Sequence, residues 1–113
     1  MPNEEFEHLL VEVAEHQRTN YFGKYRGIVK TVGEDENLGY ITAIVHEVFG
    51  EEFETDWAAP AVPFAGVKHG LVALPEVDDG VWIEFEAGKL SRPISSGLWW
   101  ANDEMPEQKG TLI

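Results

Sequence analysis

At 113 residues the chain has room for one domain with a modest core and not for a second fold. It contains no cysteine, which excludes disulfide stapling and thiolate metal sites and fits a reducing compartment or an assembly indifferent to redox state. Against 21 acidic residues stand 8 basic ones, a net charge of −13 that serves solubility and argues against nucleic acid, whose phosphates require a basic surface. The longest apolar run, Ala58 to Val67, is interrupted by Pro60 and Pro63, and the N-terminus is acidic, so neither a signal peptide nor a membrane anchor is expected.

The first 20 residues read as a helix. Asn3 is placed to cap it, Glu4 and Glu5 suit the positive end of its dipole, and Phe6, Leu9, Leu10, Val13 and Ala14 fall on one face at helical spacing. That stripe either seals the bottom of the chain's own core or docks on a neighbouring subunit. Thr19-Asn20 ends the helix, and Tyr25 to Val32 reads as the first strand, with Gly27 at its middle where the chain must bend or admit a close neighbour. Gly33 to Gly39 is an acidic loop. Tyr40 to Val48 alternates so that Ile41, Ala43 and Val45 should face the core.

A polar, acidic connection from Phe49 to Asp56 leads to Trp57, and Pro60 and Pro63 allow only an edge segment or an extended crossing after it. Leu71 to Leu74 is expected to form a hairpin with the next run across the turn Asp78-Asp79-Gly80. That next run places Val81, Ile83 and Phe85 on one face and Trp82, Glu84 and Glu86 on the other. Arg92-Pro93 opens the last strand, Ile94 to Trp100, in which Gly97 marks a bend or a close approach. Short strands with Gly and Pro between them point to a small β-barrel. Residues 102 to 110 are turn-like, and Thr111-Leu112-Ile113 closes the sequence on an apolar note.

No catalytic arrangement stands out. His8, His16, His46 and His69 lack metal-ligand spacing, and His46-Glu47 lacks the second histidine of a zinc helix and lies in a strand pattern. The Glu34 to Asn37 loop has the charge of a cation loop without its spacing. The carboxylates offer no privileged pair, and Ser91, Ser95 and Ser96 have no nucleophile-elbow glycines. No enzymatic activity, cofactor or metal is therefore expected. The tryptophans carry more information. Trp82 lies opposite the apolar face of its strand, and of the adjacent Trp99 and Trp100 one must point away from the core. Such outward rings are covered by the helix or by the 60 to 66 loop, or they anchor an interface.

Taken together, Tyr25-Arg26-Gly27, Gly39, Trp57-Ala58 with Pro60 and Pro63, Ala65-Gly66, Leu74 to Val77, Val81 to Glu86, Arg92-Pro93 and Gly97 to Trp100 resemble the OB-fold domain of the phage baseplate assembly protein V family. That family is in turn similar to the N-terminal domain of tail-spike lysozymes and to the OB domain of type VI secretion spike proteins. The chain departs from its pattern in three places: Glu36 to Ile41 replaces an Asp-Pro turn with Gly-Arg-Val, Lys89-Leu90 replaces another Asp-Pro, and Asp78 stands where Gly is usual.

The resemblance implies an all-β fold, a five-stranded Greek-key OB barrel over residues 21–105, preceded by the amphipathic helix of residues 1–20. Residues 106–113 become a tail at the point where a triple-stranded β-helix spike begins in the family, so the chain is either naturally short or cut at the domain boundary. The implied role is structural: a homotrimeric collar of a virion tail baseplate, assembled in the host cytoplasm, joining a tail-hub protein to a spike-tip or β-helix partner. Phe6, Leu9, Leu10, Val13, Trp82, Trp99 and Trp100 are the candidate interface residues. The alternative is a stand-alone OB module for a peptide or oligosaccharide, and behind it a cell-wall hydrolase fragment.

Overall fold

The computed structural model describes residues 5–11 and 20–107. Residues 5–11 form helix α1; Asn3, Val13, Ala14 and Thr19 lie outside the described residues, as do Thr111, Leu112 and Ile113. Seven strands follow: β1 (Tyr25–Val32), β2 (Ile41–Ile44), β3 (Ala59–Pro60), β4 (Ala65–Gly66), β5 (His69–Gly70), β6 (Gly80–Phe85) and β7 (Pro93–Trp99), with a short helix α2 (His46–Phe49) after β2.

Five strands make one curled sheet in the order β2-β1-β6-β7-β3, and β4 and β5 make a separate two-stranded ribbon. β1 is the spine of the sheet, antiparallel to β2 on one side and to β6 on the other, with Arg26 opposite Trp82 and Gly27 opposite Val81. β6 pairs with β7 across a bulge between Trp82 and Ile83 that brings Gly97 opposite Trp82. β3 runs parallel to the start of β7.

Alternation sorts Ile41, Ala43, Val45, Val81, Ile83 and Phe85 inward as the sequence predicts, and Val29 and Ala58 join them in the core, while Arg26 and Ile28 are exposed on β1 and a bulge at Lys30 breaks its alternation. Phe85 is its aromatic centre, with Tyr25, Tyr21 and Phe49 rings at 5.8, 6.2 and 6.3 Å. Gly27 lies at a close approach. A Cβ there would come within 3.2 Å of Ile83 and 3.3 Å of the Ile44 carbonyl, so a larger residue would push β1, β2 and β6 apart.

Three expectations are corrected. The sheet is a half-barrel and not a closed barrel: between β2 and the segment before β3 there is no ladder, only the isolated bridges Ile41 to Ala58 and Ile44 to Glu54. The segment is nonetheless tied down. Ala58 N–H donates to the Ile41 carbonyl at 2.7 Å, Thr55 N–H donates to the Ala43 carbonyl at 2.8 Å, and the buried Thr55 hydroxyl accepts from Ala43 N–H at 3.1 Å. Side-chain and main-chain bonds share the work of a strand pair here.

The second correction is at Tyr40 to Val48, where the strand stops at Ile44 and His46 and Glu47 open α2. Continued alternation would have turned Glu47 inward after Val45. A helical turn keeps Glu47 in solvent and lets both Val48 and Phe49 pack against the core.

The third concerns Leu71 to Leu74, which forms no strand. All four residues are exposed, and the hairpin in this part of the chain is β4-β5. β6 is instead reached through a turn that is stitched directly to β1, with Asp78 N–H donating to the Val29 carbonyl and Val29 N–H donating to the Asp79 carbonyl, both at 2.9 Å. Asp78 sits at φ 78°, the left-handed region. Backbone already paired with β1 leaves no free edge for residues 71 to 74 to join.

Candidate interface

The outer face of β1, β6 and β7 carries the densest arrangement of candidate residues. Arg26 and Trp82 are directly opposite, and Trp99, two residues beyond Gly97, is their diagonal neighbour on the same face. The Arg26 guanidinium lies 4.8 Å from the centre of the Trp82 ring and 4.7 Å from that of Trp99; the two rings are 6.4 Å apart at 56°. The cation is therefore gripped from two sides. Cation–π contacts of this kind contribute about 0.5–1 kcal/mol where solvent-exposed, and more once desolvated.

Trp99 is fixed twice over. Its Nε1–H donates to the Val81 carbonyl at 3.1 Å, and its ring lies over Gly80, where a Cβ would come within 2.6 Å of the indole. Glycine at the start of β6 thus makes the space that the tryptophan fills. Beside the cluster opens a cleft of about 350 Å³ lined by Arg26, Gly27, Ile28, Ile44, His46, Glu51 and Trp99. His46 and Glu51 approach each other to 3.6 Å on its far wall.

The structure brings Trp82 and Trp99 together, half-buried against each other and Arg26. Trp100 is 60% exposed at a smaller cleft that it lines with Trp99, Asp79, Gly80, Leu98 and Glu104. Phe6, Leu9 and Leu10 are each more than half exposed on α1 and absent from the core, so among the described residues the helix does not seal the sheet. Val13 lies outside the described residues.

Sequence reasoning missed two features. Charge totals hid the local balance: Lys24, Arg26 and Lys30 are three of the 8 basic residues and are exposed along or just before β1, Arg26 against the tryptophans. The signal was present in the spacing of Lys24, Arg26 and Lys30, three basic residues within seven positions of an acidic chain. The second feature is the arm from Ala61 to Val77, where Phe64, Val67, Leu71, Val72, Leu74 and Val77 are all exposed, Val67 to 85%. Among the described residues no group of three or more His, Asp or Glu side chains is placed to hold a metal, and no helix is long and apolar enough to cross a membrane.

Among curated proteins none matches the chain. The family model for the type VI secretion system/phage-baseplate injector OB domain matches residues 25–100, from the first residue of β1 to one residue beyond β7, which covers the whole curled sheet and the arm; the chain belongs to that family.

Proposed function

We propose that the protein is a non-enzymatic structural component of a contractile phage tail or related injection machine, located in the baseplate, where three copies form a collar between a tail-hub protein and a spike. The observation that carries this reading is the family match over the whole sheet, joined to the amount of apolar surface the folded chain leaves uncovered. A small monomer exposes such residues singly; here they are concentrated on α1 and on the 61 to 77 arm. Two separate adhesive regions suit a part that must hold its own symmetry mates and two different neighbours.

Light scattering of the chain mixed with its hub protein tests the reading. Three copies per hub ring are expected, and one or two would count decisively against the collar.

The cleft beside Arg26 and Trp99 favours one second reading, a stand-alone OB module that takes a peptide or oligosaccharide. Such a module would stay monomeric with and without the hub protein, and the same mass measurement separates the two.

A further inference from the structure

We propose that the outer face of β1, β6 and β7 is the docking site for helix α1 of a second copy of this chain. The proposal rests on the multi-copy reading above and adds to it which surfaces meet.

The acceptor is unusual for this molecule. In a chain of net charge −13, Arg26 stands on the outer face of β1 with Lys24 just before the strand and Lys30 at its bulge, and among the described residues none of the three is in an ion pair, the pairs being His46 with Glu51 and Arg92 with Glu86. Arg26 is held between Trp82 and Trp99, so its guanidinium needs no ordering when an acid arrives. Ile28 and Ile44 add an apolar floor to the adjoining cleft.

The donor matches it in both respects. Phe6, Leu9 and Leu10 form an exposed apolar stripe, and at 100° per residue Glu5 and Glu7 border that stripe on its two sides. An apolar ridge flanked by carboxylates complements an apolar cleft flanked by cations. Glu51 on the far wall of the cleft and Glu84 on the sheet repel those carboxylates, which leaves the Arg26 side of the cleft as the seat for the acids. The helix does not use its own copy's face, because its stripe is exposed in the single chain.

The experiment is the mass of the full chain by sedimentation over a concentration series. The wild type should rise above the monomer. Arg26→Glu, Ile28→Glu and the double variant Leu9→Glu, Leu10→Glu should each weaken self-association by roughly tenfold or more. All four positions are exposed, so folding is not at stake, and the two face variants check each other. Mixing Arg26→Glu with the helix variant should restore a complex of two chains, since one supplies an intact helix and the other an intact face. A wild type that stays monomeric, single variants that keep wild-type mass, or a mixture that stays monomeric would overturn the proposal.

A cysteine-free chain permits a second check. Oxidised Leu9→Cys, Ile28→Cys chains should link into dimers and longer species, and a bond closed within one chain would overturn the exchange between copies. Three copies on the hub with both variants at wild-type mass would sink the exchange and leave the collar. Self-association through these residues with one or two copies per hub would do the reverse.

Discussion

The curled sheet and the arm from Ala61 to Val77 are similarly rich in apolar residues and treat them in opposite ways. In β6, Val81 and Ile83 are fully buried; in the arm, Val67, Val72 and Leu74 face solvent. Both stretches contain valine and leucine next to glycine or proline, so composition does not separate them. What separates them is a partner for the backbone. β6 has β1 on one side and β7 on the other, and its alternate residues therefore have a fixed inside. Beyond the bond from Ala61 N–H to the Ser95 carbonyl at its root, the arm's strand pairing is its own two-residue ribbon, β4 with β5, and a ribbon of that size has no inside to offer. Apolar sequence without a neighbouring strand stays at the surface.

The strongest way to break this comparison is to truncate one residue in each region. Ile83→Ala should cost about 2–5 kcal/mol in urea or thermal unfolding, because Ile83 is fully buried and its truncation opens a cavity in the core. Val72→Ala in the arm should change stability by no more than about 0.5 kcal/mol. An arm substitution as costly as the core one would mean that the arm is packed, and the contrast would fall.

Much of this was legible in the sequence for a definite reason. Where strands have one wet and one dry face, period two writes the answer directly, as in Gly80 to Phe85, and the core residues Ile41, Ala43, Val45, Val81, Ile83 and Phe85 followed from alternation alone. The failures came where a decision depended on residues distant in the chain. Leu71 to Leu74 looked like a strand, but the edges of β6 were already taken by β1 and β7. Tyr40 to Val48 looked like one strand, and the cost of burying Glu47 redirected it into a helical turn. The tryptophan face was visible as outward aromatics; that Arg26 would lie between Trp82 and Trp99 required the register of three strands, which no single segment contains.

The outer face sharpens the comparison, being neither core nor arm. Trp82→Ala should cost about 2–4 kcal/mol, read as lost stability in the isolated chain or lost association at assembly concentrations, because the ring supports both Arg26 and Trp99. A change below about 0.5 kcal/mol in both readouts would place Trp82 with the arm residues, as surface that bears nothing in the assembly.

Arg26→Ala should have a smaller effect on the isolated chain, about 0.5–1 kcal/mol, since the guanidinium is exposed and contributes through the two rings alone. Tryptophan fluorescence should report the loss of the cation from between the rings even where the unfolding midpoint moves little. An unchanged spectrum would show that the cation is not held there.

The smallest expected effect is none at all, and it tests whether the local charge on β1 or the charge of the whole molecule governs what approaches. Two tryptophans beside Lys24, Arg26 and Lys30 have the composition of a platform for single-stranded nucleic acid, on which bases stack and phosphates find cations. Affinity for phosphates, however, comes from releasing counterions along several successive contacts, and three cations do not outweigh the repulsion of a chain at −13. A fluorescent oligonucleotide should therefore show no anisotropy change with this chain at physiological salt. Binding at micromolar concentration, abolished by Arg26→Glu, would show that the face outweighs the total, and would make nucleic acid and not a carboxylate-bearing helix its occupant.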